Sequence, residues 1–260
     1  MSIVEINNLV KKYGDNVAVN DLSLNIDSKG VYGFLGPNGA GKSTTMNVLT
    51  GYIGATSGTV IINGYDIFKE PEEAKKNVGY LPEIPPLYQD MTVYEYLEFV
   101  SKIKKIKKEE RKACIEQSLE MTRTTEVRER LIRNLSKGYK QRVGIAQAIM
   151  GMPDLIILDE PTVGLDPKQI IEIRDLIRNL GKEHTVILSS HILTEISEVC
   201  ENIFIISQGK LVASGREEEL IEELAGENRI EAIIKGDANE IENILDKFGC
   251  KHSIETLDDE

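Results

Sequence analysis

Gly36-Pro37-Asn38-Gly39-Ala40-Gly41-Lys42-Ser43-Thr44 decides the fold class of this 260-residue chain. An apolar run over 31–35 precedes it and reads as a buried strand; residues 45–49 follow and read as the start of a helix. In that setting Gly-x-x-x-x-Gly-Lys-Ser is a loop built to hold phosphate. Glycine has no Cβ, so the backbone can curl and aim successive N–H groups at anionic oxygens. The helix N-terminus adds a partial positive charge at the same place. Lys42 is placed to reach the terminal phosphates, and the Ser43 hydroxyl to hold Mg2+. A bound nucleoside triphosphate is expected.

Outward from this loop, residues 2–10 and 17–26 alternate in character and predict two strands joined by a turn over 11–16. Short strands are expected at 60–63 and 78–81, and the three prolines within 82–90 mark a loop. The pattern is helical and charged from 93 to about 122, and another helix begins after Ser136. Then come an apolar strand at 155–158, helix 168–180, strand 185–189, helix 192–199, and strands 203–207 and 210–214. Such alternation predicts an α/β fold with a mostly parallel sheet covered on both faces. Residues 216–227 read as an acidic connector. Beyond them, strand 230–234, helix 239–248 and a short strand near 252–255 make a small βαβ-like extension over 228–260, open to being half of a larger unit.

Composition narrows the functional classes. A hydrophobic content of 41% suits a globular chain with a full core. No apolar run approaches the roughly 18–20 residues that cross a bilayer, and the N-terminus does not read as a signal peptide, so a protein soluble on its own and made in the cytosol is expected. Cys114, Cys200 and Cys250 are far apart, which argues against a disulfide framework or a zinc site. The net charge of −12 points away from nucleic acid. The basic run Lys102, Lys104, Lys105, Lys107 and Lys108 reads as a solvated helical face.

Leu155-Ile156-Ile157-Leu158-Asp159-Glu160-Pro161-Thr162 ends an apolar strand in two adjacent carboxylates. Ligands of open α/β sheets bind at that strand end. Asp159 there suits a Mg2+-holding role, and Glu160 suits orienting or deprotonating an attacking water. Between the two motifs lies Leu135-Ser136-Lys137-Gly138-Tyr139-Lys140-Gln141-Arg142, which opens an apolar-periodic helix with Ser136 as its N-cap.

The loop at 36–44, the Leu-Ser-x-Gly-x-x-Gln-Arg segment, Leu-Asp-Glu-Pro-Thr, Gly164-Leu165-Asp166-Pro167 and Ser190-His191 occur in this order and at these intervals. Together, over about residues 2–215, they resemble the ATP-binding subunit of ABC transporters. The resemblance implies a P-loop cassette over 1–215: a mostly parallel core sheet, an antiparallel β subdomain and a helical subdomain at about 84–150. It implies ATP and Mg2+ as ligands, with Gly36, Pro37, Asn38, Gly39, Ala40, Gly41, Lys42, Ser43 and Thr44 around the phosphates and Tyr13 stacked on adenine. Ser43, Asp159 and Glu83 face the metal, and Lys42, Glu160 and His191 carry the chemistry. Ser136, Lys137 and Gly138 reach the γ-phosphate held by a partner subunit, and Asp166 crosses that interface. Two such subunits, identical or not, then sandwich two ATP molecules head to tail. His184 and His252 match nothing in the pattern and read as surface residues.

Two departures refine the resemblance. Lys137-Gly138-Tyr139 stands where the usual motif has Gly-Gly-Gln, and Glu83 stands at the usual glutamine. Together they resemble the ABC-2-type exporter branch, whose permeases are separate polypeptides. That implies a cytoplasmic ATPase held to the inner face of the plasma membrane by its permease, with no nucleic-acid partner. A DNA-maintenance ATPase of this type would carry a long insert, but only about 95 residues separate Gly41 from Ser136. A translation factor would carry two cassettes. A soluble ABC-type ATPase serving as an assembly scaffold shares the length and charge, and is the alternative.

Overall fold

The computed structural model describes residues 2–225, 234–248 and 253. The strands expected at 230–234 and near 252–255 fall almost wholly outside these residues, as does His252. The chain divides into two compact units, one running to Ile221 and the other starting at Glu222.

In the first unit, β1 (Val4–Tyr13), β2 (Asn16–Ile26), β4 (Ser57–Ile62) and β5 (Tyr65–Asp66) form an antiparallel sheet in the order β2-β1-β4-β5. A six-stranded sheet comprises β3 (Gly30–Leu35), β6 (Val78–Leu81), β7 (Leu155–Asp159), β8 (Thr185–Ser190), β9 (Asn202–Ser207) and β10 (Lys210–Gly215). Its order is β10-β9-β3-β8-β7-β6, parallel throughout except for β10 against β9. β7 and β8 are buried at every position, which is why they read as unbroken apolar runs rather than as alternating ones.

The helices are α1 (Lys42–Leu49), α2 (Pro71–Lys76), α3 (Val93–Ile103), α4 (Lys108–Met121), α5 (Lys137–Ile149), α6 (Pro167–Gly181), α7 (Leu193–Ser197) and α8 (Glu217–Ala225). α9 (Ala238–Phe248) belongs to the second unit. One core, with Met46 and Leu49 of α1, fills the space between the two sheets. A second packs α5, α6 and α7 on the opposite face of the parallel sheet, and a third joins α3, α4 and α5 into a helical layer. The parallel register sets the end of β7 beside the end of β8, pairing Asp159 with Ser189.

Three readings are corrected. His184 is buried, 4% exposed, because it enters β8 beneath the preceding turn, where its Nδ1 meets the Pro153 carbonyl at 2.7 Å. The basic run is not one solvated helical face: α3 ends at Ile103 and α4 begins at Lys108. Lys104 turns inward and donates to the Ala148 and Met150 carbonyls at 3.0 and 2.8 Å, where α5 ends. Burial pulls its ammonium down to about 8. Finally, α2 forms where no element was expected, started by Pro71 at its first turn with Glu72 and Glu73 beside it.

Candidate nucleotide site

The curl of the phosphate loop is fixed by close packing. Gly41 caps α1 with φ 103°, and a Cβ there would lie 2.4 Å from the Ala18 carbonyl oxygen, so only glycine fits. The turn between β9 and β10 seals the same spot, with Gly209 N–H on Ala40 O at 2.9 Å and Asn20 N–H on Gly209 O at 2.8 Å.

A cavity of about 740 Å³ opens over this loop. Its walls bring together Tyr13, Asn38, Gly39, Gly41, Lys42, Ser43, Thr44, Glu83, Glu160 and His191, drawn from strand ends, loops and a helix start. Gly36, Pro37 and Ala40 support the loop behind them: Lys42 Nζ donates to Gly36 O at 2.7 Å and to Pro37 O at 3.3 Å. The same Nζ lies 3.7 Å from Glu160 Oε1. Tyr13 is half exposed at the rim, and Lys11 Nζ sits 5.0 Å from its ring centroid. Sequence reasoning missed the wall made by Asn16, Val17, Ala18, Gln208 and Gly209. Its signal was present in the two hairpin turns, but nothing local says that both close on one loop.

Asp159 and Glu160 are consecutive, so in regular strand geometry they would face opposite ways. Glu160 instead takes a left-handed backbone, φ 48°, and lines the cavity, while Asp159 lies behind it against Ser43. Asp159 Oδ1 accepts from Ser43 Oγ at 3.2 Å and from Ser189 Oγ at 2.5 Å. Ser189 Oγ in turn accepts the Glu160 N–H at 2.9 Å and so holds the unusual turn. Ser189 was not singled out from the sequence; its role comes from the register of β8 on β7. His191 Nδ1 lies 3.1 Å from the Glu160 carboxylate, which can only accept, so Nδ1 is the donor of this bond.

The residues present fit a nucleoside triphosphate with a hard divalent cation. A glycine loop and a lysine suit the phosphates, and the Ser43 hydroxyl and Asp159 carboxylate are both oxygen donors.

Ser136, Gly138 and Asp166 are not in this cavity. They line a second one of about 640 Å³, together with Tyr139, Arg142, Lys168 and Gln169, and the two cavities share no lining residue. Two helix starts meet there. Ser136 Oγ accepts from Tyr139 N–H at 3.3 Å to cap α5, and Asp166 Oδ1 accepts from Gln169 N–H at 2.9 Å to cap α6. Gly138 is required by the approach of α6: a Cβ would lie 2.6 Å from the Gln169 side chain. Lys137 is exposed, with its ammonium against the backbone of Gly164. Tyr139 donates to Glu126, a bond that raises its phenol above the usual range.

The sequence profile of the ABC transporter family matches residues 19–163. The chain belongs to that family. This ABC ATPase is 42% identical over 213 residues to the bacitracin transport ATP-binding protein BcrA of Bacillus licheniformis, a match covering 81% of the chain and 69% of that protein. It is 35% identical over 235 residues to the linearmycin resistance ATP-binding protein LnrL of Bacillus subtilis, covering 90% and 76%. Among solved structures, an ATP-binding subunit of an ABC transporter superposes with TM-score 0.77 at 27% identity, covering 94% of this chain and 99% of that one. A dimeric ATP-binding cassette in a post-hydrolysis state, bound to ADP and Pi, matches with TM-score 0.73 at 26% identity over 82% and 98%.

Proposed function

We propose that this ABC ATPase powers an exporter of the ABC-2 type through separate membrane permease subunits, working from the cytoplasmic face of the plasma membrane. The observation that carries it is the separation of two half-sites in one chain: a triphosphate cradle with its water-orienting pair, and a paired helix start with no phosphate-binding loop of its own. A second copy, or a related subunit, placed head to tail brings Ser136, Lys137 and Gly138 of one chain to the γ-phosphate in the cradle of the other, with Asp166 at the crossing. BcrA and LnrL, whose names speak of bacitracin transport and linearmycin resistance, support the exporter branch. Among the described residues no helix is long and apolar enough to cross a membrane, consistent with permeases on other chains. Ile84 and Tyr88, 82% and 52% exposed, lie in the loop after Glu83 and offer a permease an apolar surface next to the nucleotide.

Triphosphate in the cradle draws Lys42 Nζ off the Gly36 and Pro37 carbonyls and away from Glu160. The backbone N–H groups and Lys42 then meet the charge that builds on the γ-phosphate, the main catalytic demand of phosphoryl transfer. Glu160, steadied by His191, orients the water that attacks phosphorus as the bond to ADP breaks. Ser43 and Asp159, with Glu83 at the rim, would hold Mg2+, which neutralises phosphate charge when bound. Tyr13 offers its ring to the adenine.

Two measurements test this. The Glu160→Gln chain should sediment as a dimer with ATP and as a monomer with ADP; a monomer at saturating ATP would overturn the head-to-tail site. The full chain, purified in detergent from its own cells, should bring down a multi-spanning membrane protein. An exclusively soluble complex would favour the scaffold instead.

A further inference from the structure

Behind the catalytic pair lies a carboxylate that the hydrolysis steps above leave unused. Glu195, on α7, is 9% exposed, and one of its oxygens, Oε2, accepts two hydroxyl protons: Thr162 Oγ1 at 2.8 Å and Ser190 Oγ at 2.9 Å. Ser190 Oγ also accepts the Ile192 N–H at 3.1 Å, which pins the backbone on both sides of His191. Thr162 stands two residues after Glu160, and Ser190 immediately precedes His191. The two segments that carry the water-orienting pair are thus tied to a single atom from behind, while the pair itself meets at 3.1 Å in front. His191 has a partly exposed side chain whose ring is hydrogen-bonded to Glu160, so its aim depends on the segment that carries it.

We propose that Glu195 is a positioning residue for ATP hydrolysis: by bridging Thr162 and Ser190 it holds His191 and Glu160 at working distance. This rests on the reading of Glu160 and His191 as the hydrolytic pair. The bridge uses acceptor capacity, not charge, because both partners are hydroxyl donors. Glutamine keeps one acceptor oxygen of the right reach; leucine keeps the volume and removes it.

The test is steady-state hydrolysis by the full chain, with ATP affinity measured separately by calorimetry. Glu195→Leu should lower kcat about 10- to 100-fold, the cost of misplacing a catalytic group by about an ångström, with ATP affinity within about twofold. Glu195→Gln should recover most of the loss. Thr162→Val and Ser190→Ala, which cut the bridge from the other side and leave Glu195 in place, should each lower kcat with the same unchanged affinity. These two decide the matter if the leucine variant does not fold. Wild-type kcat in Glu195→Leu, or in both hydroxyl variants, overturns the bridge while leaving the hydrolytic pair intact, provided Glu160→Gln is dead in the same assay. An active Glu160→Gln overturns the underlying pair and the bridge with it.

Discussion

At the larger cavity Lys42, Glu160 and, just behind Ser43, Asp159 already have partners within the chain: carbonyls, serines and a histidine hold them in place. The smaller cavity is organised differently. Ser136 and Asp166 cap their own helices, and the remaining N–H groups of a helix start have no intrahelical acceptor. One region is a finished machine at rest with its lysine parked on its own backbone. The other is a pair of capped helix starts which, on the proposed function, meets the phosphates held by a partner's cradle. On the proposed function the contrast means that activity belongs to a pair of chains, and that reading can be attacked from either side.

The largest expected effect is in the cradle. Glu160→Gln should cut hydrolysis by about 10²–10⁴-fold while ATP still binds with near wild-type affinity; near wild-type turnover would strip Glu160 of its role. Gly138→Asp puts a like charge at the paired helix starts and forces Gln169 aside. It should lower hydrolysis about 10²-fold with no change in ATP affinity for the isolated chain. Mixing it with Lys42→Ala should restore part of the activity, since one of the two composite sites then has intact halves. No recovery on mixing would mean that the two cavities do not serve each other across chains. Lys42→Ala alone should weaken ATP binding by about 10- to 100-fold in calorimetry, the worth of a charge-assisted bond.

The smallest effect concerns the far end of α5, the helix that Ser136 caps. Lys104 is ordinarily charged up to 10.5 and in the fold only to about 8. Between those values the unfolded chain binds the extra proton, so stability rises with pH through this window. Relative to Lys104→Met, the wild type should gain on the order of 2 kcal/mol from pH 8 to 10.5, read by denaturant unfolding. A pH-independent difference would show that the ammonium is not buried against the Ala148 and Met150 carbonyls.

What could be read from the sequence was local. The strand, glycine loop and helix at 31–49 are contiguous, and six of the nine residues expected around the phosphates line one cavity, with Gly36, Pro37 and Ala40 behind them. The strands at 155–158 and 185–189 were legible because a strand buried on both faces has no polar positions to interrupt it. Ser189 and Glu195 were not legible, since a serine at a strand end and an acid in a five-residue helix are ordinary until β8 pairs with β7. Lys104 and His184 went the wrong way for a related reason. Composition marks both as surface residues, but a turn redirects each onto a backbone carbonyl it could not see in sequence. α2 was missed because six residues hold too little periodicity to register.

The positive φ of Glu160 sets durability against turnover at a single position. A left-handed conformation costs a non-glycine residue about 1 kcal/mol, and glycine would relieve it. Selection for thermal resilience alone would therefore favour glycine there and, on the proposed role of Glu160, silence the enzyme. A glutamate in so uncomfortable a bend trades stability for a carboxylate set beside Lys42 and His191.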